Sequence, residues 1–199
     1  MTLSDDTKGE MLGLSVDPVG SPGRPAPVAP PAEGGVPEFR AVFDAHADFV
    51  GRTLRYLGVP AADLDDALQQ VFLVVNARLA ELEKPEALRA WLRQIAHRIA
   101  MATRRKRAAR REELGESAPH PPFDARATPD AAHARRNLLL RWLDELTDDQ
   151  REVFVTYEIE EMSMREVAEL VGCPLQTAYS RYKSARECLE QAARRDQAR

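Results

Sequence analysis

Wherever this chain carries apolar residues in density, they recur every three or four positions, the spacing of one face of an α-helix. Phe39, Val42, Phe43, Ala47, Val50 and Leu54 follow that spacing and stop at Gly58, which predicts a first helix. A second begins near Asp63 in "DLDDALQQVFLVVNARLAEL", with Leu64, Leu68, Val71, Phe72 and Val75 as its buried stripe. Asp63, Asp65 and Asp66 suit the positive end of that helix's dipole. After Pro85, Leu88, Trp91, Leu92, Ile95 and Ile99 predict a third helix, whose apolar stripe fades into Arg104, Arg105, Lys106, Arg107, Arg110 and Arg111. No segment alternates with the period of two that a half-buried strand requires.

The same rhythm resumes in "AAHARRNLLLRWLDEL", a helix ending near Leu146. Thr147 with Gln150, and Ser163 with Glu166, have the spacing of capping boxes, and they open helices over "DDQREVFVTYEIE" and from Met164. The latter stops at Gly172, which can take positive φ, and Pro174 suits the start of the next helix. Two short helices joined by Gly-Cys-Pro have the outline of a helix-turn-helix. Val167, Ala168 and Leu170 or Val171 would meet Ala178 and Tyr182. A purely structural hairpin has the same outline. The second helix, however, offers Thr177, Tyr179 and Ser180 near its start and Arg181, Lys183 and Arg186 beyond. Polar groups placed so can read base edges while the cations meet phosphates, which favours DNA.

Proline divides the chain. Half of its 14 prolines fall between Pro18 and Pro37, and residues 1–36 read as a flexible Pro-rich arm. Four more break "ESAPHPPFDARATPD". The expectation is all-α, with two small helical domains, 37–113 and 131–195, joined by a flexible linker, 114–130.

Charge changes the picture more than composition does. The net charge is only −4, yet residues 89–111 hold nine Lys or Arg and no acid, and residues 143–161 hold eight acids against Arg151 alone. Such segregation suggests separate surfaces for separate partners. A solvated face is the plain reading of the acidic stretch. As a working hypothesis it also restrains DNA binding by the free chain through Asp148, Asp149, Glu158 and Glu160.

At this point a family becomes visible. "LDELTDDQREVFVTYEIEEMSMREVAELVGCPLQTAYSRYKSARECL" resembles the promoter-reading C-terminal domain of extracytoplasmic-function sigma factors of bacterial RNA polymerase. "DLDDALQQVFLVV" looks like their polymerase clamp-docking helix, and "LRAWLRQIAHRIAMATRRKRAARR" like the helix that melts and reads the minus-ten element. The resemblance spans residues 37–195 and implies a promoter-specificity subunit. Its implied partners are core polymerase at the clamp and flap, promoter DNA in duplex and melted form, and an anti-sigma factor.

Carried onto this chain, the resemblance implies polymerase binding by Asp63, Asp65, Asp66, Gln69 and Gln70, with Phe72 and Trp91 in the core. It implies minus-ten contacts from Arg93, His97, Arg98, Arg104, Arg105 and Lys106. Minus-thirty-five contacts fall to Gln176, Thr177, Tyr179, Ser180, Arg181, Lys183 and Arg186. The chain departs from the family pattern at His97-Arg98, Ala102, Gln176, Tyr179 and Asn76, several of them reading positions.

Other function classes find little support. There is no Gly-rich phosphate loop, no HExxH and no GxSxG, so neither an enzyme nor a cofactor is expected. Cys173 and Cys188, without a CxxC or a histidine pair, suggest neither a disulfide framework nor a metal site, and fit a reducing cytoplasm. No apolar run of membrane-spanning length and no signal-peptide pattern occurs, so a cytoplasmic protein is expected. A helix-turn-helix repressor would explain the C-terminal module but leave the clamp-like helix and the basic block without a role.

Overall fold

The computed structural model describes residues 38–82, 84–113 and 131–198; the arm and the linker expected from the sequence lie outside the described residues. These residues form two units, 38–113 and 131–198, and every regular element in them is helical.

The first unit is three helices: α1 (Phe39–Tyr56), α2 (Leu64–Arg78) and α3 (Leu88–Glu113). Val42, Val50 and Leu54 of α1, Val71 and Val75 of α2, and Leu92 and Ala96 of α3 have almost no exposed surface. Each large side chain buried this way stabilises the unit by about 1.5–3 kcal/mol before chain entropy is set against it. Gly58, at φ 89°, reverses the chain after α1. Arg89 lies over the Phe49 ring, 4.1 Å from its centroid, fixing the start of α3 against α1. Leu64, Leu68, Trp91 and Ile99, expected inside, are only partly covered, because three helices of this length cannot enclose every apolar stripe position.

The second unit contains α4 (Ala131–Leu143), α5 (Asp148–Phe154), α6 (Met164–Val171) and α7 (Leu175–Gln197). Both capping boxes form. Thr147 accepts from the Gln150 backbone N–H at 3.3 Å, and Gln150 Oε1 accepts from the Thr147 N–H at 3.0 Å. Ser163 and Glu166 do the same at 3.3 and 2.8 Å. The sequence does not announce the turn that follows α5. Residues Val155–Ile159 widen into a π-helical turn, where the Thr156 hydroxyl donates back to the Glu152 carbonyl at 2.7 Å. Glu161, at φ 56°, then turns the chain into α6.

Candidate nucleic-acid interface

The candidate reading helix is α7, and the turn before it sets its direction. Gly172 closes α6 in the left-handed conformation at φ 73°, and Pro174 caps α7 from an extended conformation. The hinge packs on a cluster of Val153, Met164, Val167, Ala168 and Ala178, flanked by Val171 and Tyr182. Of the two contacts the sequence left open, Val171 joins this cluster. Two small residues, Ala168 and Ala178, allow α6 and α7 to approach closely.

The buried residues of α7 are Ala178, Ala185, Leu189, Ala192 and Ala193. Opposite them, Gln176, Tyr179, Ser180 and Lys183 are exposed, at the i, i+3, i+4, i+7 spacing of a single helical face. These four make one exposed polar face, and Tyr179 keeps 45% of its surface free. Thr177 is half-buried at its edge.

Two of the expected α7 cations are already engaged. Arg181 Nη2 lies 2.5 Å from Asp149 at the start of α5, and Arg186 Nε donates to Glu190 at 3.1 Å. Beneath them Tyr182 donates its hydroxyl to Glu158 and stands edge-on to Tyr157 at 4.8 Å. The acidic stretch is therefore not plain solvated surface. Asp149 and Glu158 brace α7, Asp144 pairs with buried Arg151 at 2.8 Å, Glu145 pairs with Arg195, and Glu152 and Glu160 are buried.

On α3 the basic block splits by helical face. Arg98, Arg105 and Lys106 are exposed, with Arg110 continuing the surface and Arg93 half-buried. Arg104 corrects the sequence reading: it is 7% exposed and donates through Nη1 to the Leu57 carbonyl at 3.0 Å, tying α3 to the end of α1. A guanidinium spent inside the unit is not offered to phosphate. His97, 5% exposed, is likewise a packing residue rather than a surface one. Arg107 turns to Asp63 at 2.9 Å.

That ion pair also revises α2. Asp63 makes no side-chain cap and instead tethers α3, which leaves Asp65, Asp66, Gln69 and Gln70 exposed on the outer face of the helix. Leu73, 60% exposed, lies among them at the next turn. The sequence reading named neither Leu73 nor Arg107 among the site residues.

A small helix-turn-helix unit with a polar face backed by cations has the shape and charge to suit duplex DNA, and the chain carries a second, basic three-helix unit. Residues 136–189 match the family described as sigma-70, region 4. The chain is 27% identical over 196 residues to the extracytoplasmic-function RNA polymerase sigma factor SigC of Mycobacterium tuberculosis, covering 94% of this chain and 92% of that one. The same figures hold for the probable RNA polymerase sigma-C factor of Mycobacterium bovis. Among solved structures it is similar to CnrH, determined in complex with the cytosolic domain of CnrY, at 26% identity and a TM-score of 0.52 over 79% of this chain and 88% of that one. The sigma factor RpoE of Bartonella quintana, solved with the anti-sigma factor NepR, shares the fold at 21% identity and a TM-score of 0.60, over 78% of this chain and 96% of that one. The chain is thus similar to extracytoplasmic-function sigma factors along most of its length, and its residues 136–189 match sigma-70 region 4.

Proposed function

We propose that the chain confers promoter specificity on bacterial core RNA polymerase, with residues 37–113 docking on the clamp and engaging the minus-ten element and residues 131–195 reading the minus-thirty-five element. The observation that carries this reading is the four-residue polar face of α7, held above a packed Gly172 turn. In it, Gln176, Tyr179, Ser180 and Lys183 contact base edges or the sugar-phosphate rim, and Thr177 borders them. Arg181 and Arg186 reach phosphate once their carboxylates release them.

On α3, Arg98, Arg105 and Lys106, with Arg93 beside them, meet the melted strand. Asp65, Asp66, Gln69 and Gln70 of α2 form the polymerase face. The chain itself performs no catalysis; the polymerase does. Both solved relatives were captured with a bound protein, and one of those is an anti-sigma factor. This supports an anti-sigma partner here as well. No described helix is long and apolar enough to cross a membrane, which suits action in the cytoplasm beside polymerase.

The test is transcription by added core polymerase on fragmented genomic DNA of the source organism, with 5′ ends mapped. The expected result is discrete starts sharing an upstream motif, formed only when the chain is present. A chain that binds duplex DNA yet neither binds core polymerase nor starts transcripts would be a repressor instead. The affinity for promoter duplex should fall with salt at a slope of about −0.9 per phosphate engaged.

A further inference from the structure

The start of α7 leaves two large apolar side chains in the open. Leu175 keeps 42% of its surface exposed and Tyr179 keeps 45%. Leu175 begins the helix directly after Pro174, and Tyr179 follows one turn later, so the two stand in single file on one side of it. Gln176 and Ser180, also exposed, form a second file about 100° further round the helix. Exposed Lys183 falls between the two files, one turn beyond Tyr179. The outer face of α7 is therefore an apolar strip beside a polar one, with a cation past their ends.

We propose that the apolar strip reads thymine: Leu175 and Tyr179 each cover the C5-methyl group of a thymine in the major groove. The duplex this chain selects then carries thymines within about two base-pair steps of each other under the start of α7. The proposal rests on the duplex-reading role given above to this face, and adds to that role the base it prefers.

Position, size and chemistry each favour this cover. In a helix-turn-helix the N-terminal residues of the second helix are the ones that reach base edges, and Leu175 is the first residue of α7. The strip is also narrow. A stable protein partner covers about 800 Å² on each side, far more than two side chains offer, whereas a single helix face fits a groove about 12 Å wide. The neighbouring Gln176 and Ser180 suit the donors and acceptors of adjacent bases, and Lys183 suits a phosphate.

Chemistry then selects the base. In the major groove the thymine methyl is the apolar group on the base edges. The other edge groups donate or accept hydrogen bonds, and a leucine laid on one of them would desolvate it without pairing it. Spacing agrees as well: four residues advance about 6 Å along α7, against about 3.4 Å per base-pair step. Removing one covered methyl forfeits roughly the burial of one methylene, which is about a three- to fivefold loss of affinity.

The experiment selects duplexes from a random pool with the full chain in the presence of core polymerase. Each thymine of the selected site is then replaced singly by deoxyuridine, which lacks only the C5-methyl. Affinity is measured for the parent and for Leu175→Ala, Tyr179→Ala and Tyr179→Phe. Both positions are exposed and alanine suits a helix, so these variants keep the fold. The expected result is one deoxyuridine that weakens the parent about three- to fivefold but costs Leu175→Ala nothing further, and a second that stands in the same relation to Tyr179→Ala. Tyr179→Phe, which keeps the ring, should stay as sensitive as the parent. If no deoxyuridine weakens the parent, or if the alanine variants lose as much as the parent does, thymine reading is overturned while the duplex-reading role stands. A Tyr179→Phe variant that behaves like Tyr179→Ala assigns the contact to the hydroxyl and overturns the ring contact. Alanine variants that lose core polymerase, with every deoxyuridine silent, make the strip a protein contact and overturn the proposal. Failure to enrich any duplex removes the duplex-reading role itself, and the proposal with it.

Discussion

Arg181 of α7 is held by Asp149, with 2.5 Å between the guanidinium and the carboxylate. A phosphate must displace that carboxylate to use the cation. Of the four acids suspected of restraining DNA binding, Asp149 is paired directly with a cation of α7, whereas Glu158 receives the Tyr182 hydroxyl and Glu160 is buried. Asp149→Asn should therefore raise the free chain's affinity for its promoter duplex about two- to fivefold, as expected when a surface pair worth up to ~1 kcal/mol stops competing. The gain should shrink with added salt. Fluorescence anisotropy across a salt series checks it, and an unchanged low-salt affinity would leave Asp149 as a helix-start residue only.

Neighbouring arginines on α3 should separate cleanly. Arg104→Ala removes the donor to the Leu57 carbonyl and the stem packed beneath it, and should lower unfolding free energy by about 2–4 kcal/mol. Arg105 is exposed, so Arg105→Ala should leave the denaturation midpoint in place. It should instead weaken DNA binding evenly across sequences and reduce the salt slope by about 1. Urea unfolding and salt-dependent binding, measured on both variants, decide the assignment. Equal effects on stability would refute it.

That contrast shows what the chain of letters could and could not convey. Helix positions, both capping boxes and the Gly172 turn rest on local rules, so spacing and residue type were enough to read them. Arg104 obeys the same arithmetic: Leu92, Ala96, Ala100 and Arg104 step by four along the buried side of α3. Its place in a run of cations hid that step, because charge density points outward while periodicity points inward. The π-helical turn at Val155–Ile159 left no comparable sign, since it depends on how Thr156 and Tyr157 settle against the rest of the unit. Pairings such as Asp63–Arg107 and Asp149–Arg181 join residues 44 and 32 positions apart and become visible only once the helices pack.

The Gly172 turn offers a test of conformation without crowding. A Cβ added there would meet nothing within 4 Å, yet the residue sits at φ 73°. Gly172→Ala should therefore cost about 1–2 kcal/mol, the penalty of the left-handed conformation alone, and Gly172→Asn should cost less. Both variants should bind promoter duplex with near-normal affinity at temperatures where they remain folded. Chemical denaturation measures the first claim and anisotropy the second. An alanine variant as stable as the parent would mean that the turn tolerates a side chain freely.

Tyr182 couples α7 to the helices beneath it. Its hydroxyl donates to Glu158 while its ring stacks near Phe154 at 6.3 Å and meets Tyr157 edge-on. Burial first, and then the Glu158 hydrogen bond and charge, push its ionisation well above the ordinary tyrosine range, with Arg186 pulling weakly the other way. In the unfolded chain the phenol ionises near pH 10, whereas the folded chain keeps the proton. The proton-linked stability is thus fully present below pH ~10 and is lost as pH rises beyond it, by up to about 1.4 kcal/mol per pH unit. Tyr182→Phe keeps the ring contacts but removes the donor, so it should lower stability by about 1–3 kcal/mol at neutral pH. It should also lack the Tyr182 share of the alkaline decline, so the gap between parent and variant should narrow as pH passes 10. Urea midpoints from pH 7 to 11 test both statements. Parallel curves would show that Glu158 does not hold the Tyr182 proton, and that the ring contacts alone seat α7.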